Sequence, residues 1–330
     1  MKLSIVILCW NDLKVISDCL HSIYSRTHAI DFEVIVSDNG SSDGSIAFIR
    51  EKYPDVRVIE NGENLRFSRG NNVGIRATRG EYVLILNPDT IVNEGALDRW
   101  IEVADRHPEA GGFGCRVLSA DGSYQGCARP FPTIWREWLG ALFLRRLGYL
   151  SDVFIADKYM RWAGDTERTI DWQAGCCLMV RSELLKKLGG FDERFYYYYE
   201  DMDLCHQVWD AGYPIIYAPG VVITHLVGQS VKSFRIAFEL DKYRNRYRYF
   251  YKYFGRTGVR RCRRAVLARL RIRQVGYSLV RLLKPSEALE KRLELYRAAI
   301  EWNKRIDPVR LVESGTEPEI GLGVPIHVPQ

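Results

Sequence analysis

Hydrophobic and polar residues alternate in blocks along the first quarter of the chain. Four short apolar segments, rich in β-branched residues, predict buried parallel strands at residues 3–9, 32–37, 56–60 and 82–86. Segments with one apolar face and an Asp or Ser near their start predict helices at residues 12–24, 42–52 and 68–76. Strands that alternate with helices in this way predict a Rossmann-like α/β sheet with helices on both faces.

A polar turn follows each predicted strand. These turns contain Trp10 and Asn11, then Asp38 and Asn39, then residues 61–64, and finally Asn87-Pro88-Asp89. Because the carboxyl ends of parallel strands meet at one edge of a sheet, the turns should form a single ligand-binding rim.

The glycines that usually hold phosphate groups are missing from this rim. The first strand is followed by Trp-Asn-Asp-Leu, with no glycine, so neither a dinucleotide fingerprint nor a Walker loop is present. A phosphate-bearing ligand would therefore need another source of positive charge. A divalent cation held by carboxylates is the expected source.

Length and composition bound the domain organisation. With 330 residues, of which 47% are hydrophobic, the chain fits one large α/β domain with an appendage. We predict a main domain at residues 1–235, with halves at 1–118 and 119–235, and a basic helical region at 236–330. Residues 119–171, which contain several Gly and Pro, predict a long insertion between the sheet halves.

Cysteine and apolar patterns bear on the compartment. The eight cysteines form no Cys-x-x-Cys pair, and the N-terminus lacks the pattern of a secretory leader, so we expect a reduced, cytoplasmic setting. No run of about 18 apolar residues occurs, so we expect no membrane-spanning helix.

The positive charge is concentrated in one segment. Residues 242–273 hold 13 Lys or Arg and no acid, which leaves 34 basic against 41 acidic residues elsewhere, a net of −7. Within this segment Val259, Cys262, Val266 and Leu270 have the spacing of an amphipathic helix. We expect such a face to lie on an anionic membrane surface. The alternatives are a helix packed on its own domain and, less expected, nucleic-acid binding through the interleaved Tyr and Arg of residues 243–249.

Five motifs carry a family resemblance. They lie at residues 4–11, 36–45, 64–74, 86–89 and 199–204. Together and in this order they resemble the inverting family 2 glycosyltransferases, and among these the bacterial rhamnosyltransferase-like members. The resemblance implies a GT-A fold with a mixed central sheet. It also implies that residues 1–118 bind a nucleotide-sugar donor and residues 119–235 an acceptor.

The resemblance assigns donor binding to the rim. Asp38 takes the place of an aspartate that accepts the N3–H of uracil or thymine, and a carboxylate suits this donor because it only accepts. Capping of its own turn is the alternative role. Arg66 stands where the family often has glycine, which leaves the local loop shape open. The other candidates are Trp10, Asn11, Asn39, Asn64, Asn87, Pro88, and, with helix-start roles as alternatives, Arg69 and Asn72.

The resemblance also implies a metal site. Asn87-Pro88-Asp89 takes the place of the family's Asp-x-Asp motif, with asparagine for the first aspartate. We expect Asp89 to bind Mg²⁺ or Mn²⁺, with Asn87 offering a carbonyl oxygen. His225 is the expected further ligand, and a structural role at the end of an apolar strand is its alternative.

Asp201 takes the place of the family's general base. An inverting transfer needs one carboxylate beside the acceptor hydroxyl, and Glu200 is expected to orient the acceptor. The alternative is that these acidic residues stabilise the N-terminus of a helix through its dipole, which explains Asp203 best. The acceptor-binding candidates are Trp172, for which a core role is nearly as expected, Gly175, Cys176 and Glu200.

The expected activity is therefore the transfer of a sugar with inversion. The first expectation for the donor is dTDP-L-rhamnose, and UDP-linked GlcNAc, galactose or galactofuranose is the alternative. The expected acceptor is a polyprenyl-diphosphate-linked or nascent surface glycan at the cytoplasmic face of the membrane. A non-catalytic protein that binds sugar or nucleic acid on this fold is the alternative class, and the intact acidic motifs argue against it.

Overall fold

The computed structural model describes residues 1–195, 198–226 and 235–314, with the side chains of the last segment from residue 240 onward. The chain forms two compact units. The sheet unit contains Met1–Phe131 and Trp162–Gln229, and the helical unit contains Pro132–Arg161 and Ser230–Gln330. Residues 132–161, in the middle of the predicted insertion, thus belong to the same unit as the C-terminal region. The predicted boundary near residue 235 stays a prediction.

The strands of the sheet unit are β1 Leu3–Cys9, β2 Phe32–Asp38, β3 Arg57–Glu60, β4 Tyr82–Leu86, β5 Thr90–Val92, β6 Gly112–Leu118, β7 Ala128–Arg129, β8 Arg168–Ile170, β9 Trp172–Gln173, β10 Cys177–Arg181 and β11 Ile215–His225. The main sheet has the order β3-β2-β1-β4-β10-β6-β11-β5, and β8 pairs with β11. Strands β7 and β9 form a separate pair.

The main sheet is mixed. Strands β1 to β4 run parallel to one another, as predicted, because each is separated from the next by a crossover. Strand β10 enters antiparallel between β4 and β6. The expected mixed central sheet of the GT-A fold is confirmed.

The helices of the two units are α1 Leu13–Ser25, α2 Ser45–Lys52, α3 Arg66–Arg76, α4 Ala96–Arg106, α5 Ile134–Ala141, α6 Ser182–Leu188, α7 Glu200–Asp210, α8 Arg235–Leu283, α9 Glu287–Arg305 and α10 Pro308–Ser314. The three helices predicted in the first half of the chain are confirmed, with shifts of a few residues at their starts. The apolar faces of α1 and α2 pack on β-branched residues of the strands, such as Ile5, Ile7 and Val36, which are buried. Helix α3 lies on the other face of the sheet, where its Gly74 is next to Val6.

The helical unit consists of α5, two short 3₁₀ turns and α8 to α10. Helix α8 is broken at Gly255, whose φ of +64° interrupts the helical backbone. The predicted amphipathic helix is confirmed, but its apolar face, Val259, Cys262, Val266 and Leu270, is buried inside this unit. That face therefore does not lie on a membrane.

Aromatic residues of the same helix are also internal. Tyr247 and Tyr249 are buried, and the ring of Tyr247 stacks on Trp302 with 6.3 Å between centroids. These rings are not available to stack on nucleic-acid bases. Over the described ranges, no helix combines the length and the apolarity needed to cross a bilayer.

Candidate active site

The carboxyl ends of the parallel strands form one polar rim, as predicted. Cys9 at the end of β1 pairs in register with Asp38 at the end of β2. The turns behind them are joined by side-chain amides, since Asn39 Nδ2 donates to Asn64 Oδ1 at 3.2 Å and Asn61 Nδ2 donates to Asn39 Oδ1 at 3.0 Å. Asn39 and Asn64 thus fix the shape of this rim.

Asp38 is buried at the end of β2. Its carboxylate accepts the backbone N–H groups of Ser41 at 3.1 Å and Gly40 at 3.2 Å. The turn-capping role is therefore present in the structure. A carboxylate has about four acceptor positions, so a contact with a base remains compatible with these bonds and stays a prediction.

Arg66, the first residue of α3, has a left-handed backbone conformation of the kind that glycine favours. Its φ is +63°, and its N–H donates to Asn64 Oδ1 at 2.9 Å. A left-handed conformation costs a non-glycine residue about 1 kcal/mol, which the surrounding amide bonds offset. Arg66 thus has a backbone conformation that glycine would adopt without strain.

The other donor candidates fall into two groups. Trp10, Asn11 and Arg69 are exposed at the rim, and Asn11 Oδ1 accepts the N–H of Ser42 at 2.8 Å. Asn72 is buried, and its amide bonds both the N–H and the C=O of Phe191. Asn72 thus attaches a distant loop to α3, and its contact with a donor stays a prediction.

Asp89 and His225 lie side by side. Asp89 directly precedes β5, whose first residue, Thr90, pairs with His225 at the end of β11. This pairing brings His225 Nε2 to 3.2 Å from Asp89 Oδ1. The two residues predicted as metal ligands are therefore neighbours in space, although they are far apart in sequence.

Gln125 determines which nitrogen of His225 faces Asp89. Gln125 Nε2 donates to the His225 carbonyl at 2.8 Å, so its Oε1 is the atom that lies 3.1 Å from His225 Nδ1. Since Oε1 only accepts, Nδ1 carries a proton, and Nε2 is the ring nitrogen that faces Asp89. In this orientation Nε2 would be the atom that binds a metal, with the outer hydrogen bond of the ring already made.

This pair fits a divalent cation. Two ligands about 2.1 Å from one ion, in adjacent octahedral positions, lie about 3 Å apart, close to the observed separation. The described part of the chain contains no group of three His, Cys, Asp or Glu side chains placed to hold a metal. Phosphate and water oxygens would have to complete the ligand set. Asn87 contributes to the site's frame, because its N–H donates to the Cys176 carbonyl at 2.9 Å.

Asp12 is a rim carboxylate that the sequence pattern indicated only as a helix start. Burial raises the pKa of Asp12 to about 6, against the effect of the hydrogen bond from the Trp10 N–H. The negative charges of Asp89 and Asp43 add to the rise. The rim thus concentrates negative charge where a cation is expected.

Asp201 lies in the first turn of α7 with both carboxylate oxygens engaged. Its Oδ2 accepts the N–H of Gly175 at 2.7 Å, and its Oδ1 accepts the N–H of Met202 at 2.7 Å. Burial raises the pKa of Asp201, while these hydrogen bonds and the charge of Arg129 oppose the rise. A side chain at Gly175 would place Cβ only 3.1 Å from Asp201 Cβ, which explains the glycine.

Glu200 is buried beside Asp201. No hydrogen-bond partner of its Oε2 occurs among the described residues. Burial, and then the charge of Asp201, raise the pKa of Glu200 well above its ordinary value. Because Asp201 has two N–H donors, Glu200 holds the proton and Asp201 is the ionised member.

The backbone leading into α7 is unusual. Tyr198 and Tyr199 have φ of +65° and +76°, which are rare for aromatic residues and typical of functional turns. Tyr198 is exposed, while Tyr196 and Tyr197 lie outside the described residues.

The backbone of Gly175 and Cys176 connects two pairs of side chains, Asp89 with His225 and Asp201 with Glu200. Asn87, two residues before Asp89, bonds Cys176, and the preceding residue, Gly175, bonds Asp201. Trp172 is buried, and its indole N–H donates to the Pro130 carbonyl at 3.0 Å, which is a core role. Its predicted stacking on a sugar stays a prediction.

Comparisons with known proteins support the family resemblance. Residues 4–158 match the family model for glycosyl transferase family 2. The N-acetylglucosaminyl-diphospho-decaprenol L-rhamnosyltransferase of Mycobacterium tuberculosis is 32% identical over 206 residues, which cover 58% of this chain and 66% of that protein. Over these residues the chain resembles glycosyl transferase family 2. The matched part spans just under two thirds of the length of this relative.

The chain is similar to further proteins. Rhamnosyltransferase WbbL of Escherichia coli K12 is 25% identical over 217 residues, which cover 62% of this chain and 76% of that protein. The mannosyltransferase PcManGT of Pyrobaculum calidifontis, solved with GDP-Man and Mn²⁺, is similar with a TM-score of 0.56 and 18% identity, over 92% of this chain and 87% of that chain. The expected fold and the rhamnosyltransferase-like resemblance are confirmed.

Proposed function

We propose that this enzyme transfers a sugar from a nucleotide diphospho-sugar to a hydroxyl group with inversion at the anomeric carbon. The observation that carries the proposal is that the backbone of residues 175–176 connects two sites. One contains Asp89 and His225, and the other contains Asp201 and Glu200. One site suits the diphosphate of a donor and the other suits the hydroxyl of an acceptor.

Asp201 is the proposed general base. The acceptor O–H gives its proton to the Asp201 carboxylate as the oxygen attacks the anomeric carbon. The bond from that carbon to the donor phosphate breaks on the opposite face, and the nucleotide diphosphate leaves with the electron pair. The N–H groups of Gly175 and Met202 hold the carboxylate in one orientation.

Asp89 and His225 are the residues that would hold Mg²⁺ or Mn²⁺, with Asn87 close behind them. A bound cation would neutralise charge on the leaving diphosphate. Gln125 keeps His225 Nε2 directed towards Asp89. Asp38 and the exposed Trp10 and Asn11 are the proposed contacts of the nucleoside.

The relatives support the proposed substrates. The names of the mycobacterial and the Escherichia coli proteins specify rhamnosyl transfer, and the mycobacterial name specifies a lipid-diphosphate acceptor. We therefore place dTDP-L-rhamnose first as donor and a polyprenyl-diphosphate-linked or nascent surface glycan first as acceptor. A UDP-sugar is the second donor. The enzyme would act as a peripheral protein on the cytoplasmic face of the membrane.

Donor hydrolysis tests this proposal. We expect dTDP-L-rhamnose to be hydrolysed faster than UDP-GlcNAc, UDP-galactose and UDP-galactofuranose in the presence of Mn²⁺. A chelator should abolish hydrolysis, and added Mn²⁺ or Mg²⁺ should restore it. If a UDP-sugar is hydrolysed faster, that UDP-sugar takes the place of dTDP-L-rhamnose as the proposed donor. Turnover that a chelator does not change would contradict the metal role, and binding without turnover would favour the non-catalytic class.

A further inference from the structure

The C-terminal half of α8 has an exposed apolar stripe. Val275, Leu279, Leu282 and Leu283 are all exposed, with Leu282 at 75% and Leu283 at 83%. At about 100° per residue these four side chains fall within an arc of about 100° on the helix. Buried leucines are the rule in a folded unit, so an exposed stripe of this length needs an occupant.

Helix α9 lies on the other side of α8. Tyr277 stacks on Tyr296 with 5.6 Å between centroids, and Arg281 pairs with Glu290 at 3.1 Å. Tyr277 and Arg281 point away from the apolar stripe by more than about 100° of helical rotation. Packing within the unit therefore uses one side of α8 and leaves the stripe exposed among the described residues.

Phe143 is another exposed apolar residue of the helical unit, at 53%, but it lies on a different side of α8. The Arg273 guanidinium lies 5.8 Å from its ring centroid, and Arg273 precedes Tyr277 by one helical turn, on the side that faces α9. We call Val275, Leu279, Leu282 and Leu283 the apolar tip.

The segment that carries the apolar tip is basic. Residues 271–286 contain Arg271, Arg273, Arg281 and Lys284 and no acid. Arg281 pairs with Glu290, whereas Arg271 lies beside the stripe on the helix and Lys284 directly follows its last residue. Two such surfaces repel each other, which disfavours a second copy of this chain as the occupant. An anionic bilayer complements both the charge and the apolar side chains.

We propose that the apolar tip inserts into the surface of an anionic phospholipid membrane, with Arg271 and Lys284 at the level of the lipid phosphates. This inference deepens the membrane part of the proposed function, and it moves the contact from the buried face of α8 to residues 271–284. Since the tip belongs to the helical unit, its binding does not require the chemistry of the sheet unit.

Vesicle flotation of the full chain tests the inference. The wild type should float with vesicles of phosphatidylcholine and phosphatidylglycerol, and much less with phosphatidylcholine alone. Leu279→Ser/Leu283→Ser leaves the net charge unchanged and should lower the bound fraction about tenfold or more, because it removes the inserted side chains. Tyr213→Ser, which removes an exposed ring of the sheet unit, is the control and should bind as wild type.

Three outcomes would overturn the inference. The wild type does not float, or the double serine variant floats as well as the wild type, or the wild type self-associates and the variant does so less without any change in flotation. The last outcome would make the tip a protein interface. Circular dichroism checks the fold of each variant. Donor hydrolysis, measured without vesicles, reports separately on the proposed function, so loss of one property does not imply loss of the other.

Discussion

Gln125 shows what a single residue contributes beyond the predicted ligands. The family resemblance predicted Asp89 and His225 as metal ligands, and the structure places them side by side, while their metal binding stays a prediction. Gln125 was not predictable, since its role depends on the turn after β6 that brings its amide to the last residue of β11. The sequence also left open whether Arg66 could replace glycine, and only the backbone angle answers this.

Removal of Gln125 should weaken metal binding. Gln125→Ala frees the His225 ring to rotate and to change tautomer, so we expect Mn²⁺ affinity to fall about 10- to 100-fold. Calorimetric titration of the protein with Mn²⁺ measures this without any substrate. Gln274→Ala, in the helical unit, is the control. Equal affinities of the two variants would rule out the role given to Gln125.

Glu200 gives a prediction about stability and pH. Its folded-state pKa is raised, so above its ordinary value of 4.5 the unfolded chain releases a proton that the folded protein keeps. Stability of the wild type therefore falls as pH rises through this window, and Glu200→Gln removes the loss. The free energy of unfolding of the variant minus that of the wild type should therefore increase between about pH 5 and about pH 8.

Urea unfolding at the two pH values checks this sign. Glu102→Gln, at an exposed position of α4, is the matched control, and its difference from the wild type should stay nearly constant. A Glu200→Gln difference that is constant or that shrinks with pH would show that Glu200 is ionised in the folded protein.

Elements differ in how far their sequences predict them. Strands β1 to β4 and helices α1 to α3 were predictable, because continuous apolar strands alternate with amphipathic helices. The antiparallel entry of β10 between β4 and β6 was not, since it depends on pairing over long sequence separations. For α8 the pattern correctly predicted which face of the helix is apolar. The membrane expected to cover that face was wrong, because periodicity does not identify what an apolar face packs against.

Arg263 illustrates the same limit within the basic segment. It was counted among charges available to a membrane, yet its guanidinium donates to the carbonyls of Asn303 at 2.7 Å and Lys304 at 3.2 Å. These carbonyls belong to the last turn of α9, where the helix backbone leaves acceptors unpaired.

Arg263→Ala should therefore destabilise the protein. We expect the free energy of unfolding to fall by about 1 to 2 kcal/mol, because two carbonyls lose a charged donor. Denaturant unfolding measures the change. Arg260→Ala, at an exposed position of the same helix, should change it by less than about 0.5 kcal/mol. Equal effects would mean that Arg263 does not cap α9.

At the scale of the whole molecule, charge and chemistry lie in different units. The acidic rim, the metal pair and Asp201 belong to the sheet unit, whereas the basic segment and the apolar tip belong to the helical unit. Composition revealed the charge asymmetry, but the folded chain was needed to assign residues 132–161 to the helical unit. The two proposed activities, sugar transfer and membrane binding, can thus be tested by separate substitutions.

The central claim is that Asp201 is the general base, and the turnover of Asp201→Asn tests it most directly. The variant keeps the size of the side chain but removes the carboxylate, so kcat should fall about 10²- to 10⁴-fold while the Kd of the donor changes little. Asp210→Asn, an equal charge change at an exposed position of the same helix, should leave kcat near normal. Near-normal turnover of Asp201→Asn would contradict the account.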